Sequence, residues 1–170
     1  MGADNIYYNW AEKSSLNAMS LASEARILLN SGKEERAYYL SHMATEEASK
    51  SIILKFIDLF GTSSDQMERV TKLLRNHKKK IEFILSLSKS ENPELTKQLE
   101  GYEKDLVAHI NDLKNNSMYV TYINGAISTP SESIAEKDVT KFIEFAESMA
   151  KYSSIKLTSK SKGLVNSPLT

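Results

Sequence analysis

Four ionisable residues carry the chemistry that this chain could do: Glu47 and Lys50 in one helical segment, His77 and Lys80 in another. Glu47 lies one heptad after Leu40 and one before Leu54, where an apolar stripe should run. Val70, Leu74, His77, Ile81 and Ile84 share one face of the second segment, so an imidazole also interrupts a stripe. A carboxylate and an imidazole entering one core are costly unless they meet. Such a cluster could move a proton: His77 as general base, Glu47 orienting its ring, and Lys80 or Arg75 steadying a charged phosphate. The competing reading of Glu47 is a boundary carboxylate that reaches solvent, with Glu46 and Lys50 as a surface pair. The competing reading of His77 is a satisfied core histidine.

Lys72, Arg75, Lys78, Lys79 and Lys80 surround His77 with positive charge. Such a run is either a solvated face or an anion site, and Lys50, Lys78 and Lys79 are the candidate binding residues. Lys114, Tyr119 and Tyr122 add a second candidate, a stacking platform for a single strand, against the simpler role of closing one end of the fold. His109 shares a face with Tyr102 and Leu106 and reads as structural. Arg36-x5-His42 has a formal Arg–His spacing, but five intervening residues put the two side chains on different sides of a helix. The three histidines show no His-x-x-x-His or Glu-x-x-His spacing, so no metal site is expected and no cofactor is called for.

The elements that must position these groups are helical. Of 170 residues, 41% are hydrophobic and 26% charged, which suits one soluble domain. Lys+Arg and Asp+Glu both number 22, so net charge argues for neither nucleic acid nor an anionic membrane. There is no cysteine, which excludes disulfides and points to a reducing cytoplasm. The first residues lack the basic and apolar regions of a leader, and Ser51–Phe60 is too short to span a bilayer.

A first helix is expected from about Asn5 to Asn30, with Trp10, Leu16 or Met19, Ala22, Ala25 or Arg26 and Leu29 inward. Ser31-Gly32 ends it, and Ser31-x-x-Glu34 reads as a capping box for a second helix that stops at Gly61. Ser63-x-x-Gln66 opens a third over about Asp65–Ser88. Asn92-Pro93 starts a fourth, running to about Asn116. Ser117–Ile123 is β-branched and aromatic, and Asn124-Gly125 marks a turn, so a short extended segment or hairpin is expected near 117–127. Ser133-x-x-Glu136 caps a fifth helix over about Ala135–Ser154, with Val139, Phe142 or Ile143, Ala146 and Met149 or Ala150 inward. The expectation is an all-α, antiparallel, four- to five-helix up-and-down bundle over residues 1–157, with a disordered tail at 158–170.

Leu28-Leu29-Asn30-Ser31-Gly32, followed by Arg36-Ala37-Tyr38-Tyr39-Leu40 and Thr45-Glu46-Glu47-Ala48-Ser49-Lys50, resembles the AbiV family of abortive infection proteins. Asn76-His77-Lys78-Lys79-Lys80-Ile81 is similar to the family's H-x-x-K signature. Ser117-Met118-Tyr119-Val120-Thr121-Tyr122, then Asn124-Gly125 and Ser128-Thr129-Pro130, is similar to a further family segment. The resemblance spans about Ala11–Ala150. It implies an HEPN-like helical bundle, a homodimer and a role in prokaryotic antiviral defence. It also raises a metal-independent ribonuclease or RNA-binding activity. The R-x4-6-H motif of many HEPN nucleases is not properly present: Arg75-Asn76 looks like its opening, but Lys80, Ile81 and Glu82 stand where its histidine would fall. The alternative is a non-catalytic helical protein that binds a phage or host protein.

Overall fold

The computed structural model describes residues 6–61, 63–91, 105–123 and 125–156; the Asn92-Pro93 start signal and the expected disordered tail lie outside them. The described chain is an all-α bundle with one small hairpin. Helix α1 (Ile6–Asn30) turns back into α2 (Glu34–Phe60), and the two form the most extensive helix pair. At the turn Gly32 adopts φ 66°, its N–H bonds to Leu29 O at 3.0 Å, and Lys33 N–H bonds to Leu28 O at 2.9 Å. This is the Schellman ending, in which glycine accepts the left-handed conformation that a Cβ disfavours. Because Ser31 belongs to that ending, and its hydroxyl donates to Ile27 O, it does not cap α2 as expected. Lys33 occupies that N-cap without a side-chain hydrogen bond.

The inner face of α1 agrees with the expected one at Ala22 and Ala25 and differs from it nearer the start. Ala11, Ser14, Ser15, Ala18, Ala22 and Ala25 are buried, whereas Trp10, Leu16 and Met19 are exposed. Small residues suit the close α1–α2 pairing, and Ser15 also reaches the last helix, its Oγ 3.0 Å from Ser153 Oγ. On the α2 side Ala37, Ser41, Ala44 and Ala48 are likewise buried.

The expected third helix is two: α3 (Ser64–Arg75) and α4 (His77–Glu91), interrupted at Asn76. The Asn76 side chain accepts a hydrogen bond from Lys79 N–H at 3.1 Å, acting as an N-cap inside what the periodicity alone reads as one helix. After an N-terminal segment outside the described residues, α5 (Leu106–Asn116) is capped by Asp105, which accepts from Ala108 N–H at 3.1 Å. The hairpin is β1 (Thr121–Ile123) and β2 (Ala126–Ser128), antiparallel, with Tyr122 opposite Ile127 and Gly125 at φ 87° in the turn. The short α6 (Pro130–Ser133) takes the capping box, Thr129 with Glu132, instead of the expected Ser133 with Glu136. Ser133 Oγ instead donates to Thr129 O. Helix α7 (Glu136–Ser153) follows, and Val139, Phe142, Ile143, Ala146, Met149 and Ala150 are buried as expected.

Helix α2 is the axis, since α1, α4, α5 and α7 all pack on it. Tyr38 stacks on Phe142 at 5.0 Å, and its hydroxyl donates to Ile110 O at 3.3 Å, tying α7 and α5 to α2. No helix among the described residues is long and apolar enough to cross a membrane.

Candidate functional site

A helix packed on several sides has no single apolar stripe, and this decides which carboxylate turns inward. The heptad through Leu40, Glu47 and Leu54 does not define the core face. Leu40 and Glu47 are half-buried while Leu54 is fully enclosed. Glu47 therefore lies at the margin, paired with Lys50 one turn on. The inward carboxylate is Glu46, with a side chain 4% exposed. The expected meeting of an acid on the second helix with His77 does occur, but the acid is Glu46 rather than Glu47.

Glu46 receives three side chains from two helices. His42, one turn earlier on α2, approaches Oε1 through Nε2 at 3.0 Å. His77, the first residue of α4, places Nδ1 at 2.8 Å from Oε1 and 2.6 Å from Oε2. Lys80, one turn into α4, brings Nζ to 2.6 Å from Oε2. Ser49 Oγ also donates to Lys80 O at 2.9 Å and fastens the first turn of α4 to α2. The interruption at Asn76 makes this possible by starting a new helix at His77, so that Lys80 turns inward and His77 sits at the rim. The His77 side chain is 58% exposed and that of Lys80 only 7%.

Burial alone would raise the Glu46 carboxyl. The hydrogen bonds from His42 and Lys80, with the Lys80 charge, outweigh burial and hold it at about 2. Glu46 and Lys80 therefore form a buried ion pair. Burial pushes His42 below the ordinary imidazole range, against the opposing pull of Glu46, so His42 is neutral. A neutral imidazole 3.0 Å from a carboxylate must turn its N–H toward it, which makes His42 the Nε2–H tautomer. Among the described residues its Nδ1 is buried without a hydrogen-bond partner.

The arrangement can hold and redirect a proton. With Nδ1–H of His77 donated to Glu46, the other ring nitrogen bears a lone pair on an exposed side chain. That is the carboxylate–imidazole geometry of a general base. Arg75, Lys78 and Lys79 are all exposed beside it.

The structure thus brings His77 and Lys80 together and leaves Glu47 and Lys50 as a separate pair. Lys80 is committed to Glu46, while Arg75, Lys78 and Lys79 are exposed. Lys114 lies in the last turn of α5, and its charge acts on His42; Tyr119, just beyond that helix, is 58% exposed. Sequence reasoning missed His42 and Glu46 as partners. Their signal was present: His42, Glu46, Ser49 and Ile53 follow spacings of four, three and four along one side of α2. In Arg36-x5-His42 the histidine is buried and the arginine exposed, so the two do not act together.

The all-α bundle is that of a HEPN-like helical domain, and a family model of that class, described as AbiV, matches residues 7–151. The chain belongs to the AbiV family, and is thereby an abortive-infection defence protein of HEPN type. No curated protein and no solved structure matches it.

Proposed function

We propose that this defence protein is a metal-independent endoribonuclease with His77 as its catalytic base. The observation that carries this reading is the contact of His77 Nδ1 with Glu46, at 2.6 Å, on a ring that is otherwise exposed. The lone pair on His77 Nε2 takes the proton of a ribose 2′-hydroxyl. The resulting alkoxide attacks the adjacent phosphorus, and the 5′-oxygen of the next nucleotide leaves. Arg75 contacts the charged phosphate, and Lys78 and Lys79 hold the strand. Glu46 keeps the ring in the required tautomer. Its low basicity leaves the abstracted proton on the imidazole, from which it can be returned to the leaving oxygen. Incubation of the protein with total cellular RNA in EDTA, beside His77→Ala, tests this. Cleavage by the wild type and at least a hundredfold less by the variant is expected; equal cleavage by both, or none by either, removes His77 from catalysis.

A protein-binding role is the second reading, favoured by exposed apolar residues: Tyr119, Val120, Tyr122 and Ile127 at the hairpin, and Leu16, Met19 and Ile27 on α1. The homodimer implied by the family resemblance would draw on the same surfaces. Salt separates the readings. Capture of RNA weakens steeply with ionic strength, whereas an apolar protein contact does not.

A further inference from the structure

We propose that His42 is a positioning residue for the His77 site: by donating Nε2–H to Glu46 Oε1 it fixes the carboxylate plane in the orientation that receives His77 Nδ1–H. This deepens the ribonuclease reading and rests on it for the meaning of His77.

Glutamate has three side-chain torsions, and a carboxylate meeting only Lys80 could satisfy that cation through either oxygen and at many ring angles. His42 removes this freedom. It holds Oε1 at 3.0 Å while Lys80 holds Oε2 at 2.6 Å. With both oxygens pinned, His77 meets the two together, at 2.8 and 2.6 Å. His42 is itself enclosed: it is fully buried, and its ring lies 6.1 Å from Phe142, which stacks on Tyr38.

The tautomer follows from the same geometry. A proton on Nδ1 would set a bare nitrogen lone pair against the carboxylate and bury an N–H without an acceptor. A proton on Nε2 supplies the bond to Glu46 and, among the described residues, leaves only the Nδ1 acceptor unpaired. The groups acting on His42 keep it neutral. Glu46 on its own helix favours the charged form. Burial, His77 on α4 and Lys114 on α5 oppose it. Lys80 of α4 neutralises Glu46. Among the described contacts α7 presents Phe142 to the ring. His42 thus resembles the outer hydrogen-bond partner of an oriented histidine, one carboxylate removed: it does not touch substrate, and it acts through Glu46.

Two arms test this on the full-length protein. Long-range nitrogen–proton NMR of histidine rings reports tautomers without any variant. Wild-type His42 is expected as Nε2–H and His77 as Nδ1–H at neutral pH; an Nδ1–H His42 overturns the proposal. The second arm compares His42→Met, of similar bulk but without a donor, with His42→Gln, which can still donate to Glu46 from one turn away. His42→Met is expected to lose the His77 Nδ1–H tautomer preference and to lower kcat on RNA about tenfold with KM unchanged. His42→Gln is expected to retain most of both. Retention of the His77 tautomer preference in His42→Met, or equal loss in both variants with the fold intact, overturns the proposal. If His42→Met does not fold, the wild-type tautomers and His42→Gln decide. A wild type that cleaves no RNA removes the ribonuclease reading alone, because the NMR arm needs no substrate.

Discussion

Replacing Glu46 with glutamine keeps the size of the side chain and removes its charge. Lys80, with a side chain 7% exposed, then loses the counter-ion it has among the described residues. The size of the penalty follows from the carboxyl itself. The interval between an ordinary 4.5 and about 2 corresponds, at about 1.4 kcal/mol per pH unit, to about 3 kcal/mol of folding stability. Breaking one side of a buried ion pair costs a similar amount, about 3–5 kcal/mol. Because Glu46 is 4% exposed, solvent screening removes little of this. The sign with pH is fixed by the depressed value. The stabilisation is complete above about pH 4.5 and disappears as pH falls through about 2. Urea unfolding of wild type and Glu46→Gln at pH 6 should therefore differ by about 3 kcal/mol, and the difference should shrink steadily toward pH 2.5. A difference under about 0.5 kcal/mol at pH 6, or one that stays constant down to pH 2.5, refutes the buried, charged Glu46 described above. Glu46→Leu combined with Lys80→Met, which removes both charges, should recover much of the loss.

Other consequences are simpler. Asn76→Ala removes the cap of α4 and should lower stability by about 1 kcal/mol, read as a fall in Tm, with a larger proportional loss of RNA cleavage because His77 is the next residue. Lys78→Glu with Lys79→Glu should weaken RNA binding and reduce the slope of log affinity against log salt by about 1.4, the value for two lost contacts to a single strand. Lys55→Met should destabilise by about 2 kcal/mol in urea. The buried Lys55 Nζ donates to Ser153 O at 2.8 Å and Ile155 O at 3.3 Å, closing the end of α7, and also pairs with Glu12 at 2.9 Å.

Much of the architecture could be read from the chain. Helix α7 shows why: one face is buried and the other wet, so Val139, Phe142, Ala146 and Met149 recur with helical period. Helix α2 shows the limit. Packed against by α1, α4, α5, α6 and α7, it buries Ser41, Thr45, Ser49 and Ser51 as well as isoleucines, and polarity no longer reports direction. That is why Glu47 looked inward and Glu46 did not. The expected long third helix failed for a local reason: the Asn76 side chain competes with the backbone for one hydrogen bond, and periodicity does not register such competition. His77 and Lys80 were legible because a histidine and lysines crowd a face that also carries Ile81 and Ile84. His42 is not, because its contact is with Glu46, four positions away, which the sequence offers equally as a surface partner of Lys50.

The alanine and serine seam between α1 and α2 inverts the usual hierarchy of harmful mutations. Most cores fear loss of a side chain, since a vacated methyl group leaves a hole. Here Ala18, Ala22, Ala44 and Ala48 are already near the minimum, buried on the two rods that pack most extensively. Growth is the danger: a leucine at any of them is a wedge, costing about 1–3 kcal/mol where it can be accommodated at all. Because His42 and Glu46 ride on one of those rods, a wedge driven in from behind would also tilt the histidine–carboxylate pair away from α4, silencing the site from its far side.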